Sequence, residues 1–498
     1  MTDVRAQPAI AIGPPGCAAV AAGSRDTAQA AADVLRQGGN AVDAALAGTL
    51  AACVAEVVFT SLGGGGFMMI RQPGGETTVM DFFANTPGLG QKISDVEPDF
   101  TPLTVHYPGS EQVFYAGPGS VAVPGALGGY LAIHEQHGRL PLSDIVAPAA
   151  HLGEEGTILE PVQAVVLELV REIMSLTDEC RRLISKHGRY ARAGDRITNP
   201  DFARFLRLLG EGRLPSLAGD AFATPMSSLM EHTGGHVTTE DLRAYQVVQR
   251  APIELERDGV EINLNAPPAF GGSIVADTLR ELAPIKDDPR DWATVVAELG
   301  RATTRTRTVP GPKSSQGTTH ISVVDSEGRI ASMTTSNGSG SGVVLPGTGI
   351  HLNNMLGEED LNPDGFHAAP PGIRISSMMT PAILSFASGA TCGLGTGGSE
   401  RIRSALLGVI LNLVDLRQPL ASAVAAPRLH PDQGLVQLEP GWGAELPALL
   451  GKSQVVNTWA SPNLYFGGVH AVARDPEGAV VAVGDARRGG AALVVQPA

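Results

Sequence analysis

Residues 24–37 set Ala28, Ala31, Ala32 and Leu35 on one helical face, and Gly38-Gly39 supplies the stop. The Ala-rich run 42–57 that follows reads as a buried helix. Period two then takes over, and 67–70 and 76–82 read as strands that join a central sheet. Helical stretches return at 126–137, 161–183, 200–209 and 223–232, and Thr238-Thr239-Glu240-Asp241-Leu242 carries a capped helix start. Short strands at 252–255 and 260–264 precede a helix that Gly271-Gly272-Ser273 opens towards Leu282. Residues 302–315, rich in Thr, Arg, Pro, Gly and Ser, follow neither period and read as an exposed linker. In the last third, the Ser/Gly stretch 338–342 reads as a flexible loop, while 380–386 and 390–394 are strands. The helix 401–416 turns Ile402, Ala405, Leu406, Val409, Ile410 and Leu413 to the core, and strands at 464–473 and 480–483 close the chain.

The linker runs into Gly317-Thr318-Thr319-His320-Ile321-Ser322-Val323-Val324-Asp325. Thr319, Ile321 and Val323 alternate with Thr318, His320, Ser322 and Val324. Asp325-Ser326-Glu327-Gly328 supplies a turn and 329–335 run back, which makes a hairpin with threonines at both open ends. Glycine tolerates distorted backbone angles, so the Gly317 carbonyl can be turned towards the Thr318 hydroxyl. Cleavage there would leave Thr318 as an N-terminus whose α-amine, with a pKa of about 7.7–8.0, is a general base beside its own nucleophilic hydroxyl. On spacing alone, a Thr-Thr pair is also ordinary in a half-buried strand.

The 498 residues, 43% of them hydrophobic, can bury a large core, and length alone suggests two or three domains. A net charge of −15 argues against a nucleic-acid surface and for a small-molecule partner. Residues 1–16 lack a sustained apolar segment with a small-residue cleavage site, and 44–59 fall short of a spanning helix. No export signal and no membrane segment are therefore expected. Cys17, Cys53, Cys180 and Cys392 lack disulfide or metal spacing and read as buried reduced thiols, which together favours the cytoplasm.

Three motifs fail on context. His134-Glu135-Gln136-His137 sets its histidines at i and i+3, where a zinc-protease helix needs i and i+4. Gly63-Gly64-Gly65-Gly66 runs into Phe67-Met68-Met69-Ile70 instead of a lysine and hydroxyl, so it is a tight strand entry and not a phosphate loop. Gly393-x-Gly395-x-x-Gly398 has the glycines of a dinucleotide fingerprint, but the acid near the required distance, Asp415, lies inside an apolar helical period. Neither a metal nor another cofactor is expected.

Thr318-Thr319-His320-x-Ser322-Val323-Val324-Asp325, then Asn337, Ser376-Ser377 before Met378, and Gly397-Gly398-Ser399 resemble the γ-glutamyltransferase family of N-terminal-nucleophile hydrolases. The first part agrees through Gly38-Gly39-Asn40-Ala41-Val42-Asp43-Ala44, Gly63-Gly64-Gly65-Gly66-Phe67 and Gly119-Ser120-Val121-Ala122-Val123-Pro124-Gly125, and the match spans nearly the whole chain. The resemblance implies an α+β fold, a four-layer αββα sandwich with helical additions in the first part. It also implies a precursor cut between Gly317 and Thr318, whose segments 1–317 and 318–498 stay associated around one shared core, with a further dimer left open.

In that family pattern Thr318 is nucleophile and amine base. Its hydroxyl is supported by Thr335, or by Ser336, because the hairpin is one residue shorter than in the family. Gly397 and Gly398 match the oxyanion pair, whose amides approach a developing alkoxide unobstructed by Cβ. Ser376 and Ser377 match donors to a substrate α-carboxylate, and Asn337 and Glu358 match partners of its α-amino group. Two positions depart. The arginine that forks onto the α-carboxylate falls on Phe83, and a polar contact falls on Met355, so the pocket becomes more apolar. The stretch before Thr318 is also shorter. Three functions stay open: a γ-glutamyl hydrolase or transferase; an acylase or carbon–carbon bond hydrolase like those of alkylproline antibiotic pathways; and a non-catalytic homologue.

Overall fold

The computed structural model describes residues 7–91, 99–107, 110–214, 219–306, 317–359, 361–362, 364–432 and 434–496. Two seven-stranded sheets, each antiparallel throughout, form its centre. The first runs in the order Val248–Arg250, Thr77–Phe82, Gly65–Arg71, Ile330–Ser336, Thr318–Val324, Ala18–Ala22, Ala491–Val495. The second runs Ala9–Gly13, Val480–Gly484, Gly468–Arg474, Thr391–Gly397, Ala382–Phe386, Val260–Leu264, Ile253–Arg257.

Strand alternation assigns the faces of the first sheet. Ala19, Ala21, Phe67, Met69, Val79, Val324 and Ile330 pack in the core shared with the second sheet. Their neighbours Ala18, Val20, Met68, Ile70, Ile321, Val323 and Met333 pack against the helices Arg25–Arg36, Ala41–Ala55 and Ala126–His137, with Leu142–Glu155 laid over Ala41–Ala55 and Pro200–Gly210 over Leu142–Glu155. The second sheet is covered on its outer side by Phe270–Glu281, Pro289–Thr306 and Arg401–Val414. The architecture is therefore αββα, as the family resemblance implied. Strands from before and after Gly317 interleave in both sheets.

The helix Ala41–Ala55 is buried along its whole length and begins at a capping box between Asn40 and Asp43. Its alanines let the Arg25–Arg36 helix on one side and the first sheet on the other come close. Among the described residues no helix is long and apolar enough to cross a membrane.

Several expectations are corrected. The stretch 161–183 is not one helix but Pro161–Leu169, a 3₁₀ turn Ile173–Ser175 and Asp178–Leu183. Thr177 restarts it, accepting the Cys180 N–H at 3.2 Å and donating to the Gly342 carbonyl at 2.8 Å. The strand expected over 464–473 begins only at Gly468, after a 3₁₀ turn Leu464–Phe466. Residues 302–306 of the expected linker form the last turn of the helix Pro289–Thr306, which buries Trp292, Val295, Val296, Leu299 and Ala302; residues 307–315 lie outside the described residues. The 338–342 loop, read as flexible, is buried and held, for Asn354 Oδ1 accepts from Ser339 N at 2.7 Å and Gly340 N at 3.1 Å.

Candidate active site

Thr318 opens the strand Thr318–Val324 and stands directly opposite Ser336, with Thr319 opposite Thr335. Directly opposed residues of an antiparallel pair share a face, so Thr318, His320, Ser322, Ser332, Thr334 and Ser336 all point between the sheets. Thr335 points the other way, where its hydroxyl accepts from Thr60 at 3.0 Å. Of the two residues considered as support for Thr318, the register brings Ser336 to its hydroxyl and leaves Thr335 behind the sheet. A one-residue slip would exchange them.

Three hydrogen bonds converge on Ser336. Its Oγ accepts from the Thr318 hydroxyl at 3.2 Å and from the Gly338 N–H at 3.0 Å, and donates to the Gly317 carbonyl at 2.5 Å. Thr318 is only 6% exposed.

The strand Thr391–Gly397 faces this one from the second sheet, and its alternate glycines make that approach possible. A Cβ on Gly397 would overlap the Thr318 carbonyl, one on Gly395 the His320 ring, and one on Gly393 would meet Ile330 at 2.5 Å. Gly393 and Gly395 thus seat the two sheets on each other inside a strand. Gly398 adopts φ +134°, which a side chain would strain, and its N–H donates no hydrogen bond to a described residue. His320 is buried, with Thr334 Oγ1 and Ser322 Oγ each 2.8 Å from its ring nitrogens, and burial pushes its pKa well down, leaving it neutral.

The remaining positions surround this end of the sheet. Asn337 donates its side-chain amide to the Leu352 carbonyl at 3.2 Å, and Glu358 Oε1 accepts from Ser339 N at 2.9 Å. Ser376 is half-buried; Ser377 is buried, its hydroxyl accepting from Met379 N at 3.1 Å. The Phe83 ring is 1% exposed, stacks on Phe67 at 5.6 Å and belongs to the inter-sheet core, as does Met355. Phe83 therefore contributes apolar packing to the inter-sheet core. Arg374 is engaged nearby with the Phe83 carbonyl, the Tyr245 hydroxyl at 2.6 Å, the Gln246 carbonyl at 2.6 Å and Asp81 at 3.4 Å.

Two charged residues at this end went unnoticed in the sequence. Glu56, just past the Ala41–Ala55 helix, is buried and accepts from Thr319 at 2.5 Å and Thr27 at 2.6 Å; burial raises its pKa, partly offset by those hydroxyls. Its signal was a lone carboxylate in an otherwise apolar run. Arg488, also buried, donates to the Thr318 carbonyl at 3.0 Å. Among the described residues no group of three or more His, Cys, Asp or Glu is placed to hold a metal ion, and His134 lies 2.8 Å from the Leu140 carbonyl.

An αββα sandwich with a hydroxyl residue at the head of a central strand defines the N-terminal-nucleophile hydrolase fold. A solved cephalosporin acylase from Bacillus halodurans superposes with a TM-score of 0.81 at 24% identity, covering 97% of this chain and 96% of that one. The profile of the gamma-glutamyltranspeptidase family matches residues 27–298 and 287–495, and the chain belongs to that family of hydrolases and transferases. Among curated relatives, a glutathione hydrolase proenzyme of Escherichia coli K12 is 27% identical over 492 residues, covering 85% of this chain and 82% of its own. An acylase ACY 1 proenzyme of Pseudomonas sp. SE83 is 28% identical over 502 residues, covering 90% and 88%.

Proposed function

We propose that the chain is a precursor that cuts itself between Gly317 and Thr318, and that Thr318 then transfers or hydrolyses an acyl group. The hydrogen-bond relay through Ser336 carries this reading. The Thr318 hydroxyl gives its proton towards Ser336 as its oxygen attacks the Gly317 carbonyl carbon, and Ser336 donates to the carbonyl oxygen as it gains charge. The peptide C–N bond breaks, the Thr318 nitrogen takes a proton, and water hydrolyses the resulting ester, which frees the α-amine and the Gly317 carboxylate.

The freed amine serves as base for the same hydroxyl on an incoming amide. Oxyanion stabilisation by the Gly397 and Gly398 amides leads to an acyl-enzyme, which water or an acceptor amine resolves. The relatives named as proenzymes support maturation by cleavage.

For the acyl group, the apolar Phe83 and the engaged Arg374 favour a substrate without an α-carboxylate over a γ-glutamyl donor. A γ-glutamyl group is the second reading, favoured by the Ser376, Ser377, Asn337 and Glu358 set. Incubation of purified protein with a panel of aliphatic, aromatic and γ-glutamyl anilides, read by anilide release and by the mass of the 318–498 fragment, tests both. A protein that stays uncut and takes up no acyl group would end the proposal.

A further inference from the structure

The strand Ala18–Ala22 pairs with the Thr318 strand only from Val324 to Ile321, so Thr318 overhangs its neighbour on that side. In the uncut chain the peptide bond to Gly317 helps hold it. A cut at that bond would leave a strand terminus, and termini fray unless tied down. Besides its pairing with Ser336, Thr318 is tied by Arg488, whose Nη1 donates to the Thr318 carbonyl at 3.0 Å. Its guanidinium also packs at the oxyanion glycines: Cβ atoms at Gly397 and Gly398 would lie 3.0 Å and 3.6 Å from its nitrogens.

The turn that carries Arg488 is itself fixed. It crosses from Val480–Gly484 in one sheet to Ala491–Val495 in the other. Asp485 pairs there with Arg428 and Arg487 and accepts Val469 N–H at 3.0 Å, while Arg487 pairs with Glu439 at 2.6 Å.

We propose that Arg488 is a positioning residue for Thr318, anchoring its carbonyl once the chain is cut and, as a cation beside the new α-amine, keeping that amine deprotonated near neutral pH. This rests on Thr318 being the nucleophile. Like charge disfavours the protonated amine, and the α-nitrogen is separated from the bonded carbonyl carbon only by Cα. Burial lowers the guanidinium to about 9, so it is still a cation at neutral pH.

Other titratable groups surround this end, and the Glu56 and Asp485 carboxylates act on Arg488 against the loss of its charge, with Glu160 beside Gly489. Glu56, below Thr319, is shifted towards its neutral form. His320 and His470 are pushed down by burial and are neutral at pH 7. Arg428 and Asp485 pair with each other, and Arg401, stacked over Tyr465, adds a further positive charge. Glu358 accepts from Ser339 N at 2.9 Å, and its Oε1 would lie 2.6 Å from a Cβ at Gly338, so it is a carboxylate on this side of the site.

The test compares mature wild type with Arg488→Lys and Arg488→Met, using phenyl acetate as the acyl probe from pH 5 to 9, with phenol release and fragment mass as readouts. Loss of the cation should raise the acid limb of the rate profile by about one pH unit in Arg488→Met, while Arg488→Lys keeps the wild-type limb at reduced rate. Where the methionine variant fails to mature, maturation of the lysine variant alone supports the same role. Lysine and methionine variants that are indistinguishable in both cleavage and pH profile would overturn it. A wild type that stays uncut, or whose 318–498 fragment takes up no acetyl group, refutes the parent reading first and this inference with it.

Discussion

Ser336 stands directly opposite Thr318 in the hairpin ladder and lies between the Thr318 hydroxyl and the Gly317 carbonyl, at 3.2 Å and 2.5 Å. Removal of its hydroxyl breaks the relay at the group its two ends share. Ser336→Ala is expected to slow self-cleavage by about 10²-fold or more. Thr335→Val should leave the cleavage rate near wild type and cost about 1–2 kcal/mol, because Thr60 loses its buried acceptor. Time courses by denaturing mass spectrometry and urea melts separate the two effects.

Thr318→Ala removes the proposed attacking oxygen while leaving the strand pairing intact. The variant is expected to remain a single folded 51.5 kDa chain under conditions in which wild type yields two fragments. Cleavage of the alanine variant at the same bond would assign the nucleophile elsewhere.

The proposed substrate preference rests on the apolar core around Phe83. A γ-glutamyl 4-nitroanilide should be turned over with kcat/KM well below about 10⁴ M⁻¹s⁻¹, the lower end for a native substrate. Phe83→Arg should not rescue it. The ring stacks on Phe67 in a buried cluster, so the substitution places a charge in apolar surroundings and should cost several kcal/mol. Phe83→Leu is the milder control, expected to fold with a lowered Tm. Efficient native turnover would restore the γ-glutamyl reading.

The glycines between the sheets can be tested against one outside them. Gly395→Ala drives a methyl into the His320 ring and should lower Tm severely. Gly408 sits within the helix Arg401–Val414 with nothing within 4 Å of a Cβ, so Gly408→Ala should stabilise by about 0.5–1 kcal/mol. Thermal melts of both variants decide.

Acid should destabilise the fold through buried histidines. His351 Nε2 accepts from Gly342 N–H at 3.0 Å, and His470 Nδ1 accepts from Asp485 N–H at 3.3 Å; protonation would destroy both bonds. Burial lowers each to about 4. Because the folded pKa lies below the unfolded value near 6.5, stability is full above that value and is lost as pH falls from about 6.5 towards 4. Each histidine contributes on the order of 3 kcal/mol. Tm should be flat above pH 7 and fall through that window, less steeply in His470→Asn.

Much of the hairpin was legible because Thr318, His320 and Ser322 alternate with Thr319, Ile321 and Val323, a period that only a strand satisfies. The register was not, since whether Thr335 or Ser336 meets Thr318 depends on the exact count through the Asp325 to Gly328 turn. The strand Ala18–Ala22 was hidden because an all-alanine and valine run has no alternation when both faces are buried. Helix Pro289–Thr306 was missed because its five buried residues are diluted by Arg, Asp, Glu and Thr on the outer face. Arg488 and Glu56 come from segments far from Thr318 in sequence, and only the packing of the two sheets unites them.

The interleaving of strands from before and after Gly317 governs how a cut molecule would behave once denatured. The uncut Thr318→Ala chain would regain both sheets by a unimolecular process. A severed pair must first meet by diffusion and then weave its strands together, so recovery would depend on protein concentration and compete with aggregation of exposed strand edges. Maturation would thus convert a reversible folder into one whose lifetime is set by its unfolding rate.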